Sequence, residues 1–155
     1  MPCYGEWFYG VYKPRIIIEK FLTEDGVSVP KDYKLYYFNN VNGKREVAFT
    51  CVHTGRFANH RGTFYDLNWN VIKDLTINRP NDLNNIVPKP ILYEKMIEIA
   101  KRLSEPFPHT RIDLYVVSNR IYFGEITFMN DSGFSIIKPN EYDTIIGNWI
   151  ELPNK

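Results

Sequence analysis

Two carboxylates and a guanidinium, Asp113, Glu125 and Arg111, stand within one short stretch, Arg111 to Met129 (RIDLYVVSNRIYFGEITFM). Tyr, Val, Ile and Phe dominate it, residues that suit a pleated, half-buried surface. A polar break at Ser118-Asn119-Arg120 divides it, so the stretch predicts a β-hairpin with its turn at 118–120. Alternation puts Arg111, Asp113 and Tyr115 on one face of the first arm, and Ile112, Leu114 and Val116 on the other. In the second arm Ile121, Phe123, Glu125 and Thr127 share one face, and Tyr122, Gly124, Ile126 and Phe128 the other. Register decides the chemistry. A three-residue loop sets Asp113 opposite Glu125 and Arg111 opposite Thr127; a two-residue turn pairs Asp113 with Gly124 and sends Glu125 to the far face. We expect the three-residue loop, with Asn119 or Arg120 left-handed. Facing Cβ atoms lie roughly 4.5–5.5 Å apart, and like charges there repel. A hard cation such as Mg²⁺, which takes oxygen ligands, removes that penalty. On this expectation Asp113→Asn stabilises the metal-free chain. The alternative is a pair of solvated acids beside Arg111.

The hairpin needs a support, and Leu92 to Ser104 supplies it. Leu92, Met96, Ile99, Ala100 and Leu103 fall on one stripe of a helix, Glu98 and Arg102 form an i,i+4 pair on its wet face, and Pro106 and Pro108 stop it. Upstream, Tyr33 to Phe38 alternates, with Tyr33, Leu35 and Tyr37 against Lys34, Tyr36 and Phe38. With Lys44 to Val52 it predicts a second hairpin over 33–52. Ile16-Ile17-Ile18 is a continuous β-branched run after Pro14 and reads as a strand over 14–22 buried on both faces. Residues 53–90 are rich in Asn, Pro and Gly and predict a long loop with one short strand. His53, His60, Arg56 and Arg61 make a basic cluster in it, suited to a phosphate or a carboxylate because Arg grips such groups bidentately. A metal there is not expected, since no regular element brings His53 and His60 together. After the hairpin, residues 130–133 read as a turn, 134–137 as extended and 141–146 as a short helical turn. Residues 1–12 (MPCYGEWFYGVY) read as an aromatic loop.

In order and spacing, several segments resemble the TupA-like ATP-grasp family of bacterial cell-surface polysaccharide gene clusters. They are GEWFYGVYKPRIIIEKFL, DYKLYYFN, FYDLNWNVI, PKPILYEKMIEIAKRLSEPFPHTRIDLY, IYFGEITF and SGF, and together they cover nearly all of 5–153. The resemblance implies an α+β fold, an antiparallel sheet with one main amphipathic helix, like the C-terminal lobe of ATP-grasp enzymes. It implies an ATP- and Mg²⁺-dependent carboxylate–amine ligase, in which a carboxylate such as a uronic acid is phosphorylated and an amine attacks the acyl phosphate. It implies that backbone groups near Lys20 and Leu22 hold the adenine edge and that Glu19 takes the purine amine or the ribose. Lys34 would face nucleotide phosphates. Asp113 and Glu125 would hold Mg²⁺, with Thr127 where the family's pattern has Asn, and Arg111 would clamp the acyl phosphate. The rival readings are a non-catalytic module binding a nucleotide or sugar, and a glycosyltransferase accessory protein.

Composition bounds these readings. The chain has 155 residues, 44% hydrophobic and 24% charged, which predicts a single domain of 1–155 with a real core. A net charge of +1 gives no whole-molecule case for nucleic acid. No apolar run approaches the roughly 20 residues of a membrane span, no leader pattern is evident, and Cys3 and Cys51 make no disulfide framework, so a cytoplasmic protein with reduced thiols is expected. The nine glycines are scattered singly and form no phosphate loop. The resemblance starts near the adenine hinge, so the expected unit is the C-terminal half of the enzyme, lacking the N-terminal lobe. Two expectations follow: weak ATP binding by the chain alone, and an apolar face over 14–22 that self-associates or meets a partner chain.

Overall fold

The computed structural model describes residues 10–23, 25–41 and 44–151. Its centre is a five-stranded antiparallel sheet of order β3-β2-β1-β5-β6, built from β1 (Asp32–Val41), β2 (Lys44–Thr54), β3 (Arg61–Tyr65), β5 (His109–Val117) and β6 (Arg120–Thr127). A short pair, β4 (Thr76–Ile77) and β7 (Ile137–Lys138), lies apart from it, and two helices, α1 (Tyr93–Ser104) and α2 (Asn140–Gly147), complete the chain. The fold is therefore α+β, as a partial ATP-grasp-like domain would be. Among the described residues no helix is long and apolar enough to cross a membrane.

Alternation along β1 decides what each side of the sheet does. Tyr33, Leu35 and Tyr37 point to one side, where they join Val52, Ile112 and Leu114 beneath Met96 and Ala100 of α1. The buried stripe of α1 is Tyr93, Met96, Ala100 and Ser104, and Leu92 sits at the cap rather than on the stripe. The predicted Glu98–Arg102 pair is replaced by Lys95–Glu98 at 2.9 Å. On the other side, Tyr36, Phe38, Phe49 and Phe64 pack beneath Leu75 and Ile146, but this cover reaches only part of the face. The remainder holds Asp32, Lys34, Arg111 and Asp113, all buried. Trp69 pins the long connection back to the core: its Nε1 donates to the Val87 carbonyl at 2.9 Å, and its ring stacks on Tyr65 at 4.5 Å.

Two expectations are corrected here. Residues 14–22 form no strand, and Ile16, Ile17 and Ile18 are 93%, 80% and 92% exposed. A run apolar on both faces needs cover on both, and no described element supplies it. The hairpin turn is also different. Val117 pairs with Arg120, leaving a two-residue loop, Ser118-Asn119, with φ of 48° and 58°; two left-handed residues are what the tightest right-twisting hairpins require. Left alone, that turn would put Glu125 on the wrong face. A β-bulge corrects it: Leu114 pairs with Phe123 and Asp113 with Glu125, so Gly124 is the extra residue. The bulge also brings both Ile121 and Ile126, an odd number of residues apart, against the α1 side of the core.

The bulge depends on a residue without a side chain. A Cβ on Gly124 would lie 2.9 Å from Tyr115 Cε2 and 3.0 Å from the Asp113 carbonyl oxygen. Gly124→Ala should therefore cost about 1–3 kcal/mol through forced repacking. Urea unfolding of the variant measures this, and an unchanged midpoint would show that the bulge has slack.

Candidate functional site

Antiparallel pairing of β1 with β5 sets Lys34 opposite Asp113, and pairing of β5 with β6 sets Asp113 opposite Glu125. Three neighbouring strands thus deliver a cation, a carboxylate and a second carboxylate in one row. Asp32, two residues before Lys34, shares its face. The Lys34 ammonium contacts the Asp113 carboxylate and lies 2.9 Å from Asp32 Oδ2. Arg56 Nη2 reaches the same Asp32 oxygen at 2.8 Å. Arg111 donates through Nε to Asp113 Oδ1 at 2.8 Å and through Nη2 to Asp113 Oδ2 at 3.0 Å and Glu125 Oε1 at 2.6 Å. Its Nη1 donates to the Asn130 side-chain oxygen, and Thr127 Oγ1 donates to Glu125 Oε1 at 3.1 Å.

Burial, set against these partners, shapes the titration of the cluster. For Arg111 burial opposes the charge, but the hydrogen bond and field of Asp113 outweigh it and hold the guanidinium protonated. Burial pushes Asp113 above its ordinary value, against the pull of Arg111 and Lys34. Both Asp113 oxygens accept N–H donors, which a carboxylate does best, so it is ionised in this geometry. Glu125 is drawn below the usual carboxylate value: burial acts the other way, and the Thr127 hydroxyl with the Arg111 charge prevails.

The predicted site residues come together. A cleft of about 1000 Å³ is lined by Glu19, Lys20 and Leu22 together with Lys34, Asp113, Tyr115 and Glu125. Thr127 stands beside Glu125, and Arg111 lies between the two carboxylates. The sequence reading missed Asp32 and Asn130. Asp32 had a signal, its spacing of two from Lys34 on an alternating strand; Asn130 had none, because it lies past β6 in a 3₁₀ turn whose Asp131 and Ser132 have positive φ. His53 and His60, which no single element holds, are brought together across two strands. The β2–β3 pairing sets His53 opposite Gly62, which brings His60 Nε2 to 3.1 Å from His53 Nδ1.

Among the described residues no group of three or more His, Cys, Asp or Glu could hold a metal ion. What the site offers is a different donor set: two carboxylates, the Thr127 hydroxyl and the Asn130 amide oxygen, all hard oxygen ligands. Arg111 Nη2 occupies the point on which both carboxylates converge. By chemistry alone such oxygen donors are of the kind Mg²⁺ takes, with water and substrate phosphates completing its shell.

The five-stranded antiparallel sheet with its two helices is consistent with a partial ATP-grasp-like domain. A family model described as TupA-like ATPgrasp matches residues 6–151, and the chain belongs to that family. The ATP-grasp family generally uses ATP and Mg²⁺. No curated protein matches the chain, and no solved structure does either.

Proposed function

We propose that this chain carries the nucleotide- and metal-binding face of an ATP-dependent carboxylate–amine ligase acting in cell-surface polysaccharide synthesis. One observation carries the reading: Asp113 and Glu125, from two strands, converge on one cationic point at the wall of a cleft that Glu19, Lys20 and Leu22 also line. In this reading the backbone near Lys20 and Leu22 holds the adenine edge and Glu19 the purine amine or ribose. Lys34, anchored by Asp32 and Asp113, presents its positive charge towards the phosphates. Asp113 and Glu125, assisted by Thr127, hold Mg²⁺, which when bound neutralises charge on the transferring phosphoryl group. Arg111 keeps the two carboxylates aligned and turns to the acyl phosphate. An oxygen of the substrate carboxylate bonds to the γ-phosphorus as the bond to the bridging oxygen breaks and ADP leaves; the amine then forms the C–N bond, the acyl C–O bond breaks, phosphate leaves, and the amine gives up a proton. The exposed Ile16, Ile17 and Ile18 suit a covering lobe, a partner chain or a second copy.

The test is ADP release from Mg²⁺ and ATP offered with uronic acids and amino acids. The reading expects release that needs acid and amine together and falls by on the order of 100-fold in Glu125→Gln, the scale of losing one preorganised electrostatic contact. Nucleotide binding without any acid-dependent ADP release would instead favour a non-catalytic module.

A further inference from the structure

Beside the large cleft lies a second, smaller pocket of about 260 Å³. It is below the roughly 300–1,000 Å³ of sites for drug-sized ligands, so its occupant is small. Its walls carry four fixed positive charges, Lys34, Arg56, Arg79 and Arg111, against two carboxylates, Glu125 and Asp131. Lys34, Arg56 and Arg111 are already paired with Asp32, Asp113 and Glu125, which leaves Arg79 as the wall's unpaired cation among the described residues. Glu125 is already held by Arg111 and Thr127. Asp131 Oδ2 accepts from Asn78 at 2.6 Å, Asn130 at 2.7 Å and Ser135 at 2.8 Å.

His53 and His60 complete the wall, and Gly62 makes room for them: a Cβ there would lie 3.2 Å from Cys51 Sγ and 3.3 Å from His53 Cδ2. The histidines also register the sign of the field. Burial and then the charge of Lys34, with His60, Arg79 and Arg111 behind it, hold His53 down to about 3. Burial, Arg79 and Arg56 lower His60 as well. Two neutral imidazoles sharing one hydrogen bond, beside the unpaired Arg79 guanidinium, offer a small anionic group a cation and ring N–H donors.

The pocket and the cleft meet at Lys34, Arg56 and Glu125. A ligand seated between Arg79 and His60 therefore reaches the place where the metal carboxylates point. Arg61, grouped with this cluster in the sequence, does not line the pocket; Arg79, far along the loop, takes its place. We infer that this pocket is the subsite for the acidic acceptor, gripping an anionic group of a small sugar acid or amino acid through Arg79, His60 and His53 while the substrate's reacting carboxylate faces Glu125 and Arg111. This rests on the ligase reading above for the identity of the ligand as acceptor, and on the pocket alone for its taste in anions.

The test is an NMR titration of the histidine ring resonances of the full chain with D-glucuronate and, separately, with inorganic phosphate, each against chloride at matched ionic strength. The proposal expects saturable shifts of the His53 and His60 rings, with His109 unmoved. Arg79→Gln should weaken binding by about tenfold or more, on the order of 1.4 kcal/mol, and Arg79→Lys should restore part of it. Glucuronate binding tighter than phosphate identifies a carboxylate site; the reverse identifies a phosphorylated acceptor, and both support an anionic acceptor subsite. Absence of saturation with either probe, or equal affinity in Arg79→Gln, overturns it. A parallel titration with Mg²⁺ and ATP separates the two readings. Nucleotide binding without anion binding sinks the subsite and leaves the ligase reading standing. Anion binding without nucleotide binding keeps the pocket as an anion receptor and removes its role as acceptor site.

Discussion

Met96→Asp should leave the chain largely unfolded at ambient temperature, while Lys95→Asp, one residue away, should melt within about 0.5 kcal/mol of the parent. Met96 has no exposed surface and packs with Tyr33, Leu35, Ile112 and Leu114 between α1 and the sheet. Aspartate there would lose the packing of a buried Met, worth about 2–5 kcal/mol, and would add an unpaired buried charge, or the proton needed to neutralise it. The sum is comparable with the roughly 5–15 kcal/mol that holds a typical domain together. Lys95 is exposed and pairs only with Glu98 on the surface, an interaction worth a few tenths of a kcal/mol. Met96→Leu, close in volume, should cost less than about 1.5 kcal/mol. Thermal melts followed by circular dichroism rank the three. Equal melting temperatures for the two aspartate variants would mean that α1 presents a different face to the sheet.

How far the sequence revealed this protein depends on whether the determining contact was local. The stripe of α1 and the alternation of β1 repeat within a few residues, so period alone revealed both, along with the hairpin that carries Asp113. The facing of Asp113 and Glu125 was expected for a reason the structure does not share. A three-residue loop was assumed; the real turn is one residue shorter, and the bulge at Gly124 restores the register. A strict period of two cannot represent a bulge. The readable trace of it was the odd spacing of Ile121 and Ile126, which no regular strand can bury together. His53 and His60 share no single element and are joined by cross-strand pairing. Ile16, Ile17 and Ile18 show the opposite failure: apolar composition was taken for burial, but burial needs a second surface, and composition does not provide one.

Asp113→Asn should lower stability by about 2–4 kcal/mol in the absence of any metal, in contrast to the stabilisation expected from two facing carboxylates alone. The facing pair is real, but its repulsion is already answered from within. Asp32, Asp113 and Glu125 stand against Lys34, Arg56 and Arg111. Lys34 is 5% exposed and Arg111 9%, so both cations rely on Asp113 rather than on water. Removing one partner of a buried ion pair costs about 3–5 kcal/mol because the other charge remains buried; asparagine keeps one acceptor oxygen and should soften that loss. Glu125→Gln is the internal control. The Glu125 side chain is 60% exposed, so water replaces what is lost, and the cost should stay below about 1 kcal/mol. Adding Lys34→Met to Asp113→Asn should recover part of the stability by removing one of the stranded charges. Raising the salt should change the Asp113→Asn loss little, because buried pairs are poorly screened. Urea unfolding midpoints decide the matter. If Asp113→Asn is as stable as the parent or more so, repulsion between Asp113 and Glu125 dominates the site and Arg111 does not compensate it. If it falls while Glu125→Gln holds, Asp113 serves the fold first, and Glu125 is the carboxylate whose loss can be read cleanly in ADP release.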